Sequence, residues 1–139
     1  MSEKINKLGC ILLIDDDEAT NFYHTLIVEE ECGHVPVRSV QSAKEGLEYL
    51  LCKKDGEDCP KPGIIFLDIN MPGMNGWDFL ARYQELSADI QQRAVVAMLT
   101  TSVNPDDKEK AEAIPEVKEF VHKPLTPETL RKIMRENFI

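Results

Sequence analysis

The chain has 139 residues, 42% of them hydrophobic and 29% charged, enough to bury one sizeable core with nothing left for a second. Sixteen Lys and Arg against twenty-five Asp and Glu give a formal charge of −9, a field that repels nucleic acid and anionic lipid. No apolar run approaches the roughly 20 residues a bilayer span requires, so integral membrane proteins and nucleic-acid binders are excluded classes. A single domain over residues 1–139, with a core from about residue 9 and no fused output module, is expected.

The amino terminus, MSEKINKLGC, runs straight into Ile11-Leu12-Leu13-Ile14, an apolar stretch too short for a secretory signal, so a cytoplasmic protein is expected. Cys10, Cys32, Cys52 and Cys59 form no C-x-x-C pair and read as reduced thiols rather than a zinc or disulfide scaffold. Short runs rich in Ile, Leu and Val then alternate with stretches of helical period, the pattern of βα units around a parallel sheet. Five strands are predicted, at Cys10 to Ile14, Val35 to Val40, Ile64 to Leu67, Ala94 to Leu99 and Glu119 to His122. Most are apolar on successive residues, which suits strands covered on both faces.

After the first strand Asp17 is a plausible N-cap. Ala19, Phe22, Tyr23, Leu26 and Ile27 recur at three-four spacing, predicting a buried stripe on a helix that stops near Cys32-Gly33. A second helix opens at Ser42, with Glu45 completing a capping box and Ala43, Leu47, Leu50 and Leu51 facing inward. Lys53 to Gly63 reads as a loop. A third helix follows Gly76, with Trp77, Leu80, Ala81 and Leu86 buried. Asn104-Pro105 and Thr126-Pro127 each pair an N-cap with proline at the first helical position. The helix they open buries Ala111 and Ile114 in the first case, and Leu130, Ile133 and Met134 in the second.

In an open α/β sheet, ligands bind beyond the carboxyl ends of the strands. Here those ends are polar: Asp15-Asp16-Asp17 after the first run, Asp68 after the third, Thr100-Thr101-Ser102 after the fourth and Lys123-Pro124 after the fifth. Each alone is ordinary turn or cap chemistry. A parallel sheet brings them into one crevice, where two carboxylates about 4 Å apart repel by roughly 4 kcal/mol at an effective dielectric near 20. Such a cluster requires a cation, and its hard oxygen ligands favour Mg²⁺, which binds one or two carboxylates together with phosphate oxygens. With Thr100 and Lys123 opposite, the crevice suits a phosphoryl group, and Asp68 is the candidate nucleophile.

The segments ILLIDDDE, IIFLDINMPGMNG, VVAMLTTS and FVHKP, in this order and spacing from about Gly9 to Ile139, resemble the response-regulator receiver domains of two-component signalling. The resemblance implies an α/β, flavodoxin-like (βα)5 fold with a five-stranded parallel sheet in the order 2-1-3-4-5. It implies that Asp68 is the phosphoacceptor and that Mg²⁺ is held directly by Asp16 and Asp68, through water by Asp15, and by the backbone carbonyl of Asn70. Thr100 and Lys123 would each meet a phosphoryl oxygen. Thr100 and Phe120 would form the conformational switch, and Lys123-Pro124 would be a cis peptide.

The implied donor is a sensor histidine kinase or phosphotransfer protein, and the implied output is a changed surface for a downstream protein target. The chain would be a monomer or a phosphorylation-dependent homodimer, and a signalling phosphoacceptor rather than an enzyme with a separate substrate. Its length, FLDINMPGMNG and the long Lys53 to Gly63 loop are together similar to stand-alone receivers of the phytochrome-associated kind. Thr101, where many relatives carry alanine or glycine, and the long Lys53 to Gly63 loop depart from the family pattern. Thr101 and Ser102 are expected to slow attack by water.

Three alternatives compete. A dehalogenase-like phosphohydrolase needs a second acid two residues after its nucleophile, where this chain has Asn70. A flavin carrier needs a phosphate-cradling loop after the first strand, where this chain has three acids. A pseudo-receiver that binds partners without phosphorylation is disfavoured by the complete set of Asp15, Asp16, Asp68, Thr100 and Lys123. His24, His34 and His122 read as surface or structural residues, and Met71, Met74 and Trp77 as packing.

Overall fold

A computed structural model describes residues 9–33, 35–51, 62–86, 94–101 and 104–137. The strands are β1 (Ile11–Ile14), β2 (Val37–Val40), β3 (Ile64–Asp68), β4 (Val95–Thr100) and β5 (Val117–His122). The helices of the described residues are α1 (Glu18–Glu31), α2 (Ala43–Leu50), α3 (Gly76–Tyr83), α4 (Pro105–Glu112) and α5 (Pro127–Asn137). All strand pairs are parallel, in the order β2-β1-β3-β4-β5, so the flavodoxin-like expectation is met. His34, Ser102, Cys52, Cys59 and nearly all of the Lys53 to Gly63 loop lie outside the described residues.

Alternation along the central strands divides the core into two layers. Ile11 and Leu13 of β1, Phe66 of β3 and Leu99 of β4 meet Ile27 and Val28 of α1 and Leu130 and Ile133 of α5. Leu12, Ile14, Leu67 and Met98 point the other way, onto Leu50 of α2, Phe79, Leu80 and Tyr83 of α3, and Ala111 of α4. With helices on both faces, β1, β3 and β4 are buried at every position, whereas the edge strands β2 and β5 are mostly half-buried or exposed. Strand β5 starts two residues earlier than its apolar pattern suggested, because a bulge inserts Lys118 between the partners of Val96 and Ala97.

The capping chemistry follows the side chains. The Asp17 carboxylate accepts from the Ala19 N–H, the Ser42 hydroxyl from Glu45, and the Asn104 side chain from Asp106. The Thr126 hydroxyl likewise accepts from the Thr129 N–H. At Ser42 the reciprocal arm of the predicted box shifts by one residue, since Glu45 accepts from the N–H of Gln41. A complete capping box instead opens α3, between Asn75 and Asp78.

Of the predicted face of α1 only Ile27 is buried, and the other four residues are out of phase. Phe22, Tyr23 and Leu26 are exposed at 66%, 46% and 44%, and Ala19 is exposed as well. The buried positions are Asn21, His24, Ile27 and Val28. The first half of α1 runs past backbone groups at the strand ends, which demand polar partners, and only its second half reaches the apolar core. Two smaller corrections have the same character. Leu51 lies just past α2 and is 48% exposed, and Ala81 faces out of α3 while Phe79 and Tyr83 stack inward.

Candidate functional site

The acids expected to share a crevice do so. Asp15 follows β1 and Asp68 ends β3; adjacent pairing of β1 with β3 sets their carboxylates side by side. Asp15 and Asp68 are buried at 4% and 6% exposure, whereas Asp16 is exposed. One carboxylate oxygen from each of the three lies within 4.8 Å of the others. The turn that carries them is fixed locally, because the Asp17 N–H donates to Asp15 Oδ1 at 2.9 Å.

Lys123 closes the cluster from the end of β5. Its Nζ lies 2.6 Å from Asp15 Oδ2 and 3.1 Å from Asp68 Oδ1. Its backbone N–H donates to the Thr100 carbonyl at 2.8 Å, and the Lys123-Pro124 peptide is cis, as the resemblance implied. Thr100 is fully buried at the end of β4.

Electrostatics follow from burial. Desolvation, reinforced by the Asp15 charge and opposed by Lys123, pushes the Asp68 carboxyl up to about 6. Burial works against the Lys123 ammonium, but its hydrogen bonds to Asp15 and Asp68 outweigh that and hold it above its ordinary value. Three carboxylates thus face one ammonium, leaving an anionic pocket built from hard oxygen donors. That donor set fits a small divalent cation.

The remaining candidates lie on the segments that carry or flank these residues. Asn70 is exposed in the turn after β3. That turn closes tightly, with the Gly76 N–H donating to the Ile69 carbonyl at 2.8 Å. A Cβ at Gly76 would stand 2.6 Å from the Asp68 carbonyl oxygen, and Gly73 has φ +76°; both positions require glycine. Phe120 is half-buried on β5 and packs on the core layer of α3 and α4. Thr101 is exposed beside the site. Met71 is buried, and Met74 and Trp77 pack against the core as expected. Lys110 of α4 lies 4.4 Å over the Trp77 ring. His122 is exposed.

Sequence reasoning missed two residues. Asn21 and His24 are buried polar side chains of α1, and both hydrogen-bond backbone at the strand ends. Their three-residue spacing, in phase with Ile27 and Val28, was the available signal.

Comparison with known proteins agrees with this architecture. A response regulator from Cytophaga hutchinsonii superposes with a TM-score of 0.83 and 34% identity, covering 94% of this chain and 97% of that one. The bacteriophytochrome response regulator AtBRR gives 0.72 and 26%, over 94% and 92% of the two chains. Response regulator Rcp1 of Synechocystis is 28% identical over 107 residues, 77% of this chain and 71% of its own. The family model of the response regulator receiver domain matches residues 11–135. Since that match runs from the first strand into the last helix, the chain belongs to the response regulator receiver domain family.

Proposed function

We propose that Asp68 accepts a phosphoryl group from the phosphohistidine of a sensor histidine kinase or phosphotransfer protein. The supporting observation is the Lys123 ammonium bridging Asp15 and Asp68 at the carboxyl edge of the sheet. A carboxylate oxygen of Asp68 attacks phosphorus, the phosphorus–nitrogen bond breaks, and the departing imidazole takes up a proton. Asp68 reacts as its anion, and Lys123, which lowers its pKa against burial and the neighbouring acids, keeps it available. Lys123 then pairs with one phosphoryl oxygen and the Thr100 hydroxyl binds another.

Asp16 and Asp68 would hold Mg²⁺ directly, with Asp15 through water and the Asn70 carbonyl as a further ligand. When bound, the ion neutralises charge on the acids and on the phosphoryl oxygens. Thr100 and Phe120 change position together, shifting a two-state equilibrium in the surface formed by α4, β5 and α5. That surface meets a downstream protein target. Among the described residues no helix is long and apolar enough to cross a membrane, and the chain is proposed to work in the cytoplasm, as a monomer or a phosphorylation-dependent homodimer. Thr101 would shield the acyl phosphate from water and lengthen its lifetime; an unchanged dephosphorylation rate in Thr101→Ala would count against this.

The test is incubation with acetyl phosphate and Mg²⁺, followed by intact mass of the wild type and Asp68→Asn. One base-labile adduct on the wild type, absent from the variant and from samples in EDTA, is expected. An unlabelled wild type would overturn the proposal in favour of a phosphorylation-independent binding module.

A further inference from the structure

Helix α1 turns a polar pair toward the ends of the sheet. Asn21, 4% exposed, donates through Nδ2 to the carbonyl oxygens of Asp15 at 2.9 Å and Val40 at 3.1 Å. One turn later His24, 2% exposed, accepts the Leu125 N–H at Nε2, at 3.2 Å. An accepting Nε2 places the imidazole proton on Nδ1 and keeps the ring neutral. Burial favours that state, holding the His24 pKa below its ordinary value against the pull of Asp15.

A buried position on α1 satisfied by packing alone would take leucine, as burying an imidazole is unfavourable unless its ring nitrogens are engaged. The bond that engages it reaches an informative place. Leu125 follows Lys123 by two residues, and the Lys123 N–H is itself fastened to the Thr100 carbonyl at 2.8 Å. Segment 123–125 is thus tied to β4 at one end and to α1 at the other. The Lys123 side chain leaves this segment to meet Asp15, and the Asp15 backbone is tied to the same helix through Asn21.

We infer that His24 is a positioning residue for the phosphoacceptor site. Through one hydrogen bond to Leu125 it sets where the Lys123 ammonium stands relative to Asp15 and Asp68, while Asn21 sets the Asp15 backbone from the same helix. The inference rests on the phosphoacceptor reading of Asp68. It assigns His24 no contact with the phosphoryl group.

Four proteins test it: wild type, His24→Gln, which restores an acceptor at the Nε2 position, His24→Asn, too short to reach Leu125, and His24→Leu. Labelling by acetyl phosphate is followed at saturating Mg²⁺, and Mg²⁺ affinity is measured by calorimetry. The expected result is a near-normal maximal rate for Gln and a rate about tenfold lower for Asn and Leu, with Mg²⁺ affinity unchanged throughout. Wild-type rates in Asn or Leu, whichever folds, would overturn the inference. So would a Gln variant no faster than Asn, or a loss of rate matched by an equal loss of Mg²⁺ affinity. Should the wild type itself take no label, the phosphoacceptor reading fails, and the ¹⁵N resonance of the Lys123 ammonium decides about His24. A resonance shifted in Asn and Leu but not in Gln supports the positioning role, and one unmoved in all three overturns it.

Discussion

Lys123 Nζ stands closer to Asp15 than to the proposed phosphoacceptor Asp68, 2.6 Å against 3.1 Å. The ammonium is therefore the counter-ion of the pair and belongs to neither acid alone. Removing it leaves carboxylates facing each other in a largely buried site, an arrangement that is strongly destabilising when the remaining charge is uncompensated. Because the Lys123 side chain keeps some solvent access, Lys123→Met is expected to cost about 2 kcal/mol at pH 7 in EDTA. Added Mg²⁺ should recover much of that loss. Urea unfolding with and without the ion provides the measurement, and a variant as stable as wild type in EDTA would contradict it.

The raised Asp68 carboxyl makes the ion-free fold sensitive to pH. A group lifted from 3.8 to about 6 binds its proton more tightly folded than unfolded, a difference of roughly 3 kcal/mol at most. The stabilising difference is complete below the unfolded value near 4 and is gone once the pH has risen through about 6. Asp68→Asn is therefore expected to be more stable than wild type at pH 7.5 in EDTA, with the gap closing by pH 4. Paired unfolding curves at the two pH values test this.

Gly76 opens α3 directly against the strand end that carries Asp68. A Cβ there would come within 2.6 Å of the Asp68 carbonyl oxygen and 2.9 Å of the Ile69 Cα, both backbone atoms that cannot rotate away. Gly76→Ala should destabilise by about 1–3 kcal/mol through overpacking. It should also slow labelling of Asp68 more than a distant substitution of equal cost. Comparing it with Ile133→Ala, which empties the opposite core layer, separates the two effects.

The phase of α1 yields a further contrast. Phe22→Ser and Leu26→Lys alter exposed side chains and should change stability by no more than about 0.5 kcal/mol. Ile27→Ala, in the core beside Val28, should cost about 2–5 kcal/mol. Thermal or urea denaturation decides, and a large penalty at Phe22 would restore the face read from the three-four spacing.

Most of the site was readable without coordinates, because its residues stand immediately after apolar runs. Asp15 and Asp16, Asp68 and Thr100 each follow or end a strand whose composition marks it as buried, and Lys123 follows the edge strand β5. A parallel sheet necessarily gathers such positions at one edge. Cap residues were legible for a similar reason, since Asp17, Ser42, Asn104 and Thr126 act on backbone within three residues of themselves.

What the linear pattern could not decide was which side of α1 meets the protein. Five apolar residues at helical spacing describe a stripe. Yet the environment facing that helix is the polar rim of the sheet, assembled from Asp15, Val40 and Leu125, residues far apart in the chain. The amino-acid order thus determined the strands, their polar ends and the chemistry available there. The tertiary structure alone decided that Asn21 and His24 face inward and that one ammonium divides itself between two acids, because both depend on groups brought together only by folding.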